Sequence, residues 1–340
     1  MPYRVSACFE DFIKFKVNLD PERVKIARTS RDNLLDNIKQ LCVDGKLPKH
    51  YAEMNVHYGS FSRRTKIRPL DDIDLMVCFS ACGGHYVEVQ PNALYTIKMQ
   101  DGLNIYDDLQ DEQGNLNSRK MINFIIKNLS SLSDYKKAEM HRNQEAVTLQ
   151  LKSYEWNFDI IPCFYANDDF YLIPDGNGNW KKTDPRIDAR RMTTVDTHVK
   201  WNRYAKDLHT FIRLMKYWKK EKCGDAVGSY MFEQMALNYA EVNGLQSDWQ
   251  NSVSKCLDYL SRNIYFTVAD PKGMQGDLNT LDMDSKKRLS AIAKADYETS
   301  TAAIIAESVS AMMNTNHEAA IKHWRTIFGN GYKLYGESYE

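Results

Sequence analysis

The segment that most constrains this chain covers residues 56–79 and reads V-H-Y-G-S-F-S-R-R-T-K-I-R-P-L-D-D-I-D-L-M-V-C-F. After the turn signal Arg68-Pro69, residues 73–79 are mainly apolar strand formers. Side chains two apart on a strand share a face, so Asp72 and Asp74 project the same way from backbone positions roughly 7 Å apart. The segment therefore predicts a strand that begins with two neighbouring carboxylates.

Two such acids repel each other unless a cation or basic side chains neutralise them. Carboxylates that converge from this spacing can share a pair of Mg²⁺ ions about 3.5–4 Å apart. A plainer interpretation is a solvated strand end whose charge is balanced by the preceding basic residues, Arg63, Arg64, Lys66 and Arg68. The D-x-D pattern alone leaves both interpretations open.

Gly59 and Ser60 follow a short strand-like run at residues 54–58. If a helical turn begins at this pair, its unpaired N–H groups and the Ser60 hydroxyl form an anion site, and glycine lets a phosphate approach the backbone closely. An ordinary turn with Ser60 as the helix N-cap is the alternative. A Gly-Ser pair followed after eleven residues by D-h-D-h-h, where h is apolar, is far more specific than a Gly-Ser pair alone.

This arrangement resembles the nucleotidyltransferase superfamily of polymerase beta. More narrowly, residues 59–75 resemble the bacterial cGAS/DncV-like nucleotidyltransferases (CD-NTases), relatives of cyclic GMP–AMP synthase and oligoadenylate synthetase that make cyclic oligonucleotide second messengers in anti-phage defence. The resemblance implies a two-lobed α+β fold. A polymerase-beta-like nucleotidyltransferase core with a mixed β-sheet and N-terminal helices is expected over residues 1–185, and a mainly helical lobe over residues 186–340.

A third aspartate, Asp159, lies in the apolar, strand-forming run W-N-F-D-I-I-P at residues 156–162. An unpaired charge buried there is costly, so it needs a cation or hydrogen-bond partners. A solvated strand position is again the plainer interpretation. In the family, the third metal-binding carboxylate lies on a neighbouring strand in such a setting. The resemblance therefore implies that Asp72, Asp74 and Asp159 are the catalytic metal ligands, and that Gly59 and Ser60 contact the nucleotide.

From residue 187 the pattern is helical nearly to the end of the chain, and residues 181–222 contain 13 Lys or Arg against 5 Asp or Glu. The basic residues form either a solvated face or the lining of a polyphosphate cleft. Between them, an apolar stripe at helical spacing predicts core positions. Its members are Tyr204, Leu208, Phe211, Ile212, Met215 and Trp218.

Residues 213–220 (R-L-M-K-Y-W-K-K) and 228–233 (G-S-Y-M-F-E) resemble a second-lobe signature of the same synthases. By resemblance, Lys216 contacts the triphosphate, Ser229 hydrogen-bonds a phosphate and Tyr230 stacks on the base. A lysine charge, a serine at a helix start and an aromatic face suit these roles. Tyr230 as a core aromatic residue is the alternative.

The resemblance implies an enzyme that joins nucleoside triphosphates into a purine-containing cyclic di- or trinucleotide and releases pyrophosphate by two-metal phosphoryl transfer. Two Mg²⁺ ions, replaceable by Mn²⁺, are the expected cofactors. ATP is the first expected substrate, with GTP or a pyrimidine nucleotide beside it, and regulatory proteins of an anti-phage operon are candidate partners. The alternatives are a template-free transferase that makes linear products or modifies an RNA, protein or small molecule, and a non-catalytic nucleotide-binding module.

Composition bears on partners and compartment. Forty-five basic and 45 acidic residues give no formal net charge, which does not favour a general nucleic-acid coat, so no obligatory nucleic acid is expected. Seven scattered cysteines fit reduced thiols, and the group Cys78, Cys82 and His85 lacks a convincing fourth zinc ligand. No apolar run reaches membrane-spanning length. The sequence thus predicts a soluble cytoplasmic protein.

Overall fold

The computed structural model describes residues 4–91, 93–100, 102, 104–167, 169–334 and 337–339. The chain divides into two compact units. The first, here called the core unit, comprises residues 21–64 and 70–189. The second, here called the helical unit, comprises residues 1–20, 65–69 and 190–340. The mixed sheet of the first and the helices of the second confirm the predicted α+β class.

Within its described residues the core unit contains one nine-stranded mixed sheet. Its strands, in chain order, are β1 (Val56–His57), β2 (Asp72–Cys78), β3 (His85–Gln90), β4 (Leu94–Lys98), β5 (Glu139–Asn143), β6 (Ala146–Gln150), β7 (Asn157–Ala166), β8 (Phe170–Pro174) and β9 (Trp180–Thr183). The order across the sheet is β1-β2-β7-β8-β9-β4-β3, with β6 paired to β7 and β5 to β6.

The helices follow the predicted distribution along the chain. They are α1 (Val5–Phe12), continued by a π-helical turn (Ile13–Val17), then α2 (Pro21–Val43), α3 (Gly59–Ser62), α4 (Asn104–Asp107), α5 (Ser118–Ser130), α6 (Pro185–Lys200), α7 (Leu208–Cys223), α8 (Ser229–Asn243), α9 (Trp249–Asn263), α10 (Met283–Met313) and α11 (Glu318–Phe328). Among the described residues, no helix combines the length and the apolar composition needed to cross a bilayer.

The pairing of β2 with β7 positions the acidic residues. The two strands run parallel, with Asp74 opposite Asp159 and Asp72 opposite Asn157. β1 covers the other edge of β2, and β6 pairs with β7 on its other side, so both strands lie in the interior of the sheet. Parallel strands buried on both faces are typically apolar. The aspartates are the departure from that pattern.

The face of β2 and β7 that carries the aspartates becomes apolar further along the two strands. Beyond the aspartates, that face continues into a buried apolar cluster made of Met76, Cys78, Ala146, Ile161, Cys163, Tyr171 and Ile173. Tyr58 and Val56 pack against the cluster. Burial of this cluster holds the strands together, and the acidic residues lie at its edge.

The helical unit contains the N-terminal helix as well as residues from 190 onward. Phe9 of α1 is buried, and its ring lies 4.9 Å from that of Trp324 and 5.4 Å from that of Tyr332. Residues 4–20 and 65–69 cluster with this unit, whereas the sequence assigned residues 1–185 to the core. The reason is that an amphipathic helix shows which face is buried but not what buries it.

The predicted apolar stripe is wrong at one of its six residues, Tyr204. This residue lies in the turn before α7 and is 63 % exposed, because α7 begins only at Leu208, after Asp207 caps it by accepting a hydrogen bond from the Thr210 N–H. The other five residues of the stripe are buried, as predicted.

Candidate active site

Three carboxylates share one face of the core sheet. Asp72 and Asp74 lie two residues apart on β2, so they point the same way, and Asp159 lies on β7 directly opposite Asp74. Neighbouring strands are about 4.8 Å apart, so this register places the Asp74 and Asp159 backbones at close range. All three residues are half-buried. The structure thus places the three predicted aspartates on one face of two paired strands.

A hydroxyl group holds Asp159 on the side away from Asp74. Thr148 of β6 is paired in register with Asp159, and its hydroxyl donates a 2.6 Å hydrogen bond to Asp159 Oδ1. Thr148 is 6 % exposed. Sequence reasoning passed over this residue, because the pairing of β6 with β7 had to be known before a strand threonine could be linked to the acid.

Gly59 makes the closest approach to the carboxylates. Its φ is +73°, and a Cβ atom built there would lie 1.7 Å from Asp74 Oδ2. Only glycine fits this position, which places the start of α3 against the carboxylate. Ser60 is half-buried in the first turn of α3, and Tyr58 rather than Ser60 occupies the N-cap position.

Tyr58 is a further neighbour that the sequence did not single out. Burial raises the pKa of its phenol well above the usual value, and the negative charges of Asp74, Asp159 and Glu145 raise it further. The phenol is therefore uncharged at neutral pH and adds no negative charge to the carboxylates.

The donor set fits a hard divalent cation. Carboxylate oxygens are the ligands that Mg²⁺ prefers, and three of them come from two rigid neighbouring strands. The missing side chain at Gly59 lets Asp74 Oδ2 lie directly against the start of α3. These residues could therefore hold Mg²⁺ or Mn²⁺.

A second acidic group lies in the helical unit. Asp196, Asp207 and His209 bring their ligand atoms within 4.8 Å of one another, and among the described residues no other set of three acidic, histidine or cysteine side chains does so. Asp196 pairs with Lys200 one helical turn further on, at 2.5 Å. Asp207 accepts hydrogen bonds from the Thr210 N–H (2.8 Å) and hydroxyl (2.7 Å).

Lys216, which the sequence linked to the triphosphate, lies in a buried ion pair of the helical unit. It is 7 % exposed, and its Nζ is 3.2 Å from Glu233 Oε2. The same oxygen accepts a 2.8 Å hydrogen bond from the Thr65 hydroxyl. Lys219, one turn along α7, is also buried, and burial lowers the pKa of its ammonium.

Ser229 and Tyr230 begin α8. Ser229 is exposed, whereas Tyr230 is half-buried. The Tyr230 hydroxyl accepts a 2.6 Å hydrogen bond from Lys272 and donates a 3.2 Å hydrogen bond to Asp270. The Lys272 ammonium also lies 4.4 Å from the centre of the Tyr230 ring. Asp270 and Lys272 were missed, because they occupy an irregular loop without a sequence pattern.

Comparison with known proteins defines the class. A Bacillus cereus (strain VD146) protein named "probable cyclic nucleotide synthase" is 40 % identical over 332 residues, which is 96 % of each chain. No protein-family model matches the chain.

Two solved structures from E. coli MS115-1 share the fold, each at 14 % identity and covering 96 % of this chain and 98 % of the other. They are CdnC with ATP, at a TM-score of 0.69, and the CdnC:HORMA-deltaN complex, at 0.66. Fold and site define a nucleotidyltransferase of the polymerase-beta type. Within that class, the chain belongs to the bacterial cGAS/DncV-like nucleotidyltransferases, the family of cyclic oligonucleotide synthases.

Proposed function

We propose that this enzyme joins nucleoside triphosphates into a purine-containing cyclic di- or trinucleotide and releases pyrophosphate. The observation that carries the proposal is the placement of Asp74 opposite Asp159 on parallel strands, with Asp72 on the same face. The product class is supported by the relative named a cyclic nucleotide synthase.

In the proposed mechanism, Asp72, Asp74 and Asp159 would hold two divalent cations, Mg²⁺ or Mn²⁺. When bound, such cations activate a ribose hydroxyl for attack on the α-phosphate and neutralise the departing pyrophosphate. The protein's contribution is geometry: β2 and β7 fix the three carboxylates before substrate arrives, which removes the cost of assembling them during the reaction.

The start of α3 has a separate role in the proposal. Because Gly59 has no side chain, a phosphate can approach its backbone closely, and the Ser60 hydroxyl can donate a hydrogen bond to a phosphate oxygen. The close packing of Gly59 on Asp74 places the start of α3 beside a proposed metal ligand, so a phosphate bound there would lie near the cation that neutralises it.

The helical unit supplies three further proposed contacts: Lys216 to the triphosphate, Ser229 to a phosphate and Tyr230 to the base. Ser229 is exposed at the first position of α8, where backbone N–H groups are unpaired. Lys216 already pairs with Glu233, so a phosphate that it binds must share its ammonium with that carboxylate.

ATP is the first proposed substrate, with GTP or a pyrimidine nucleotide as the second, and a regulatory protein is the proposed partner. CdnC, which shares the fold, has been solved with ATP and in a complex with HORMA-deltaN. A role in anti-phage signalling is proposed from the family resemblance.

The test is incubation of the purified enzyme with labelled ATP, GTP, CTP and UTP and Mg²⁺, followed by phosphatase treatment, chromatography and mass determination. A phosphatase-resistant product without terminal phosphates is expected, and its mass gives the bases and the ring size. Linear products that lose their terminal phosphates would instead establish an oligoadenylate-type transferase. Label transferred to an added RNA or protein would establish a different acceptor.

A further inference from the structure

Asp159 has a different neighbour on each side along the sheet. Asp74 lies opposite it on β2, and Thr148 lies opposite it on β6. The carboxylate therefore lies between a second acid and a hydroxyl donor. The 2.6 Å hydrogen bond joins the hydroxyl to one oxygen only, Asp159 Oδ1.

The position of Thr148 in the sheet makes a hydroxyl there unusual. Its face of β6 also carries Ala146, which belongs to the buried apolar cluster, whereas Val147 and Leu149 are buried on the opposite face. A valine at position 148 would have almost the same shape and would continue the apolar surface. A buried hydroxyl is costly unless it is hydrogen-bonded, and Thr148 uses its hydroxyl on Asp159.

This hydrogen bond constrains the carboxylate. Threonine is β-branched and therefore stiff at χ1, so its hydroxyl is a fixed donor. A bond to Oδ1 sets the rotation of the carboxylate about its own axis and leaves the lone pairs of Oδ2 as the second set of acceptor sites. Burial of Thr148 limits the access of water to its hydroxyl.

We propose that Thr148 is a positioning residue, whose hydroxyl orients Asp159 for binding a divalent cation. The inference rests on the proposed function, since it requires that Asp159 is a metal ligand. Hydrogen bonds to ligating carboxylates commonly set metal affinity, and their loss costs about 10- to 100-fold.

The experiment compares Thr148→Val, which removes the hydroxyl at nearly constant shape, with Thr148→Ser, which retains it. Mn²⁺ binding to the full-length protein is measured directly by electron paramagnetic resonance, and the Mg²⁺ concentration for half-maximal synthesis is measured in parallel. We expect Thr148→Val to weaken both about 10- to 100-fold. Thr148→Ser should bind Mn²⁺ close to the wild-type level, and the KM for ATP at saturating Mg²⁺ should change little in either variant.

Two outcomes overturn the inference: unchanged Mn²⁺ binding in Thr148→Val, or equal weakening in both variants, which would assign the effect to packing. Far-UV circular dichroism without metal verifies the fold, and if Thr148→Val does not fold, the serine variant is compared with Thr148→Ala. Asp159→Asn separates the two proposals. If Asp159→Asn still binds Mn²⁺ and makes product, the proposed function fails. If Asp159→Asn loses Mn²⁺ binding and synthesis but Thr148→Val retains both, only the positioning role fails.

Discussion

The two acidic groups of this enzyme differ in the secondary structure that carries them: one lies in helices and the other on strands. Asp196 and Asp207 in the helical unit lie close to His209, yet each has a local helical role: one pairs with Lys200, and the other caps α7. The carboxylates of β2 and β7 belong to strands, which have no ends to cap. Their placement on one face brings like charges together.

The comparison teaches that proximity of ligand atoms is by itself weak evidence for chemistry, because a helix cap and an ion pair can also bring acids together. Asp207 caps the start of α7, and Asp196 pairs with Lys200 one turn further along α6, so each acid of the helical group has a partner within its own helix. Like charges on neighbouring strands are destabilising unless a cation or a hydrogen-bond donor compensates them. This contrast supports our proposal that the strand carboxylates hold the metal.

The largest expected effect comes from removing the strand acids. The double variant Asp72→Asn, Asp74→Asn should lower the rate of synthesis by about 10³-fold or more, equivalent to about 4 kcal/mol of transition-state stabilisation. Far-UV circular dichroism without metal checks that the double variant keeps its fold. The matched control, Asp196→Asn, should make product within about twofold of the wild-type rate. Full activity in the double variant would remove the basis for the comparison.

A smaller effect is expected where α3 meets Asp74. Gly59→Ala must place a methyl group into the space of Asp74 Oδ2 and adopt a positive φ, whereas Gly45, at φ +69°, has no atom within 4 Å of such a methyl group. Both variants should lose about 1 kcal/mol of unfolding free energy for the backbone, and Gly59→Ala about 1–3 kcal/mol more. Urea unfolding measures these losses. Synthesis should fall only in Gly59→Ala, and equal behaviour of the two variants would contradict the contact.

The smallest effect is expected at the helical acids. Hydrogen bonds from His209, and then from Thr210, hold the pKa of Asp207 well below its usual value. The stabilisation is therefore complete above the unfolded-state pKa of about 3.9 and is lost as the pH falls through the lower folded-state value. Asp207→Ala should cost about 0.5–2 kcal/mol at pH 7, with synthesis retained. In unfolding curves, the gap between wild type and variant should close below about pH 4; a gap that widens there would contradict the cap.

Part of this site could be predicted because its signals are local. The alternation of acids and apolar residues specifies β2, and Gly59-Ser60 specifies the turn before it, so both were found from short windows of sequence. The third acid, Asp159, was identified through the family resemblance, since its own run of sequence does not show which strand it joins.

The remaining features depend on pairing between distant segments. The contact of Thr148 with Asp159 can be predicted only when β6 is known to lie beside β7. The contact of Lys272 with Tyr230 likewise requires knowing that the Lys272 loop reaches α8. The burial of α1 against Trp324 could not be predicted either, because an apolar face does not identify its partner. Tyr204 was included in the stripe because the helical spacing of apolar residues extends N-terminally beyond Asp207, the N-cap at which α7 begins.

The parallel pairing of β2 with β7 has a consequence for how the enzyme is made. Two parallel neighbours need a long crossover connection, and here the described part of the chain passes through four strands and two α-helices before β7 begins. During synthesis on the ribosome, a nascent chain that has not yet reached residue 159 cannot bring Asp74 and Asp159 together. Translation products that end before residue 159 therefore lack the pairing of Asp74 with Asp159 on which the proposed metal site rests.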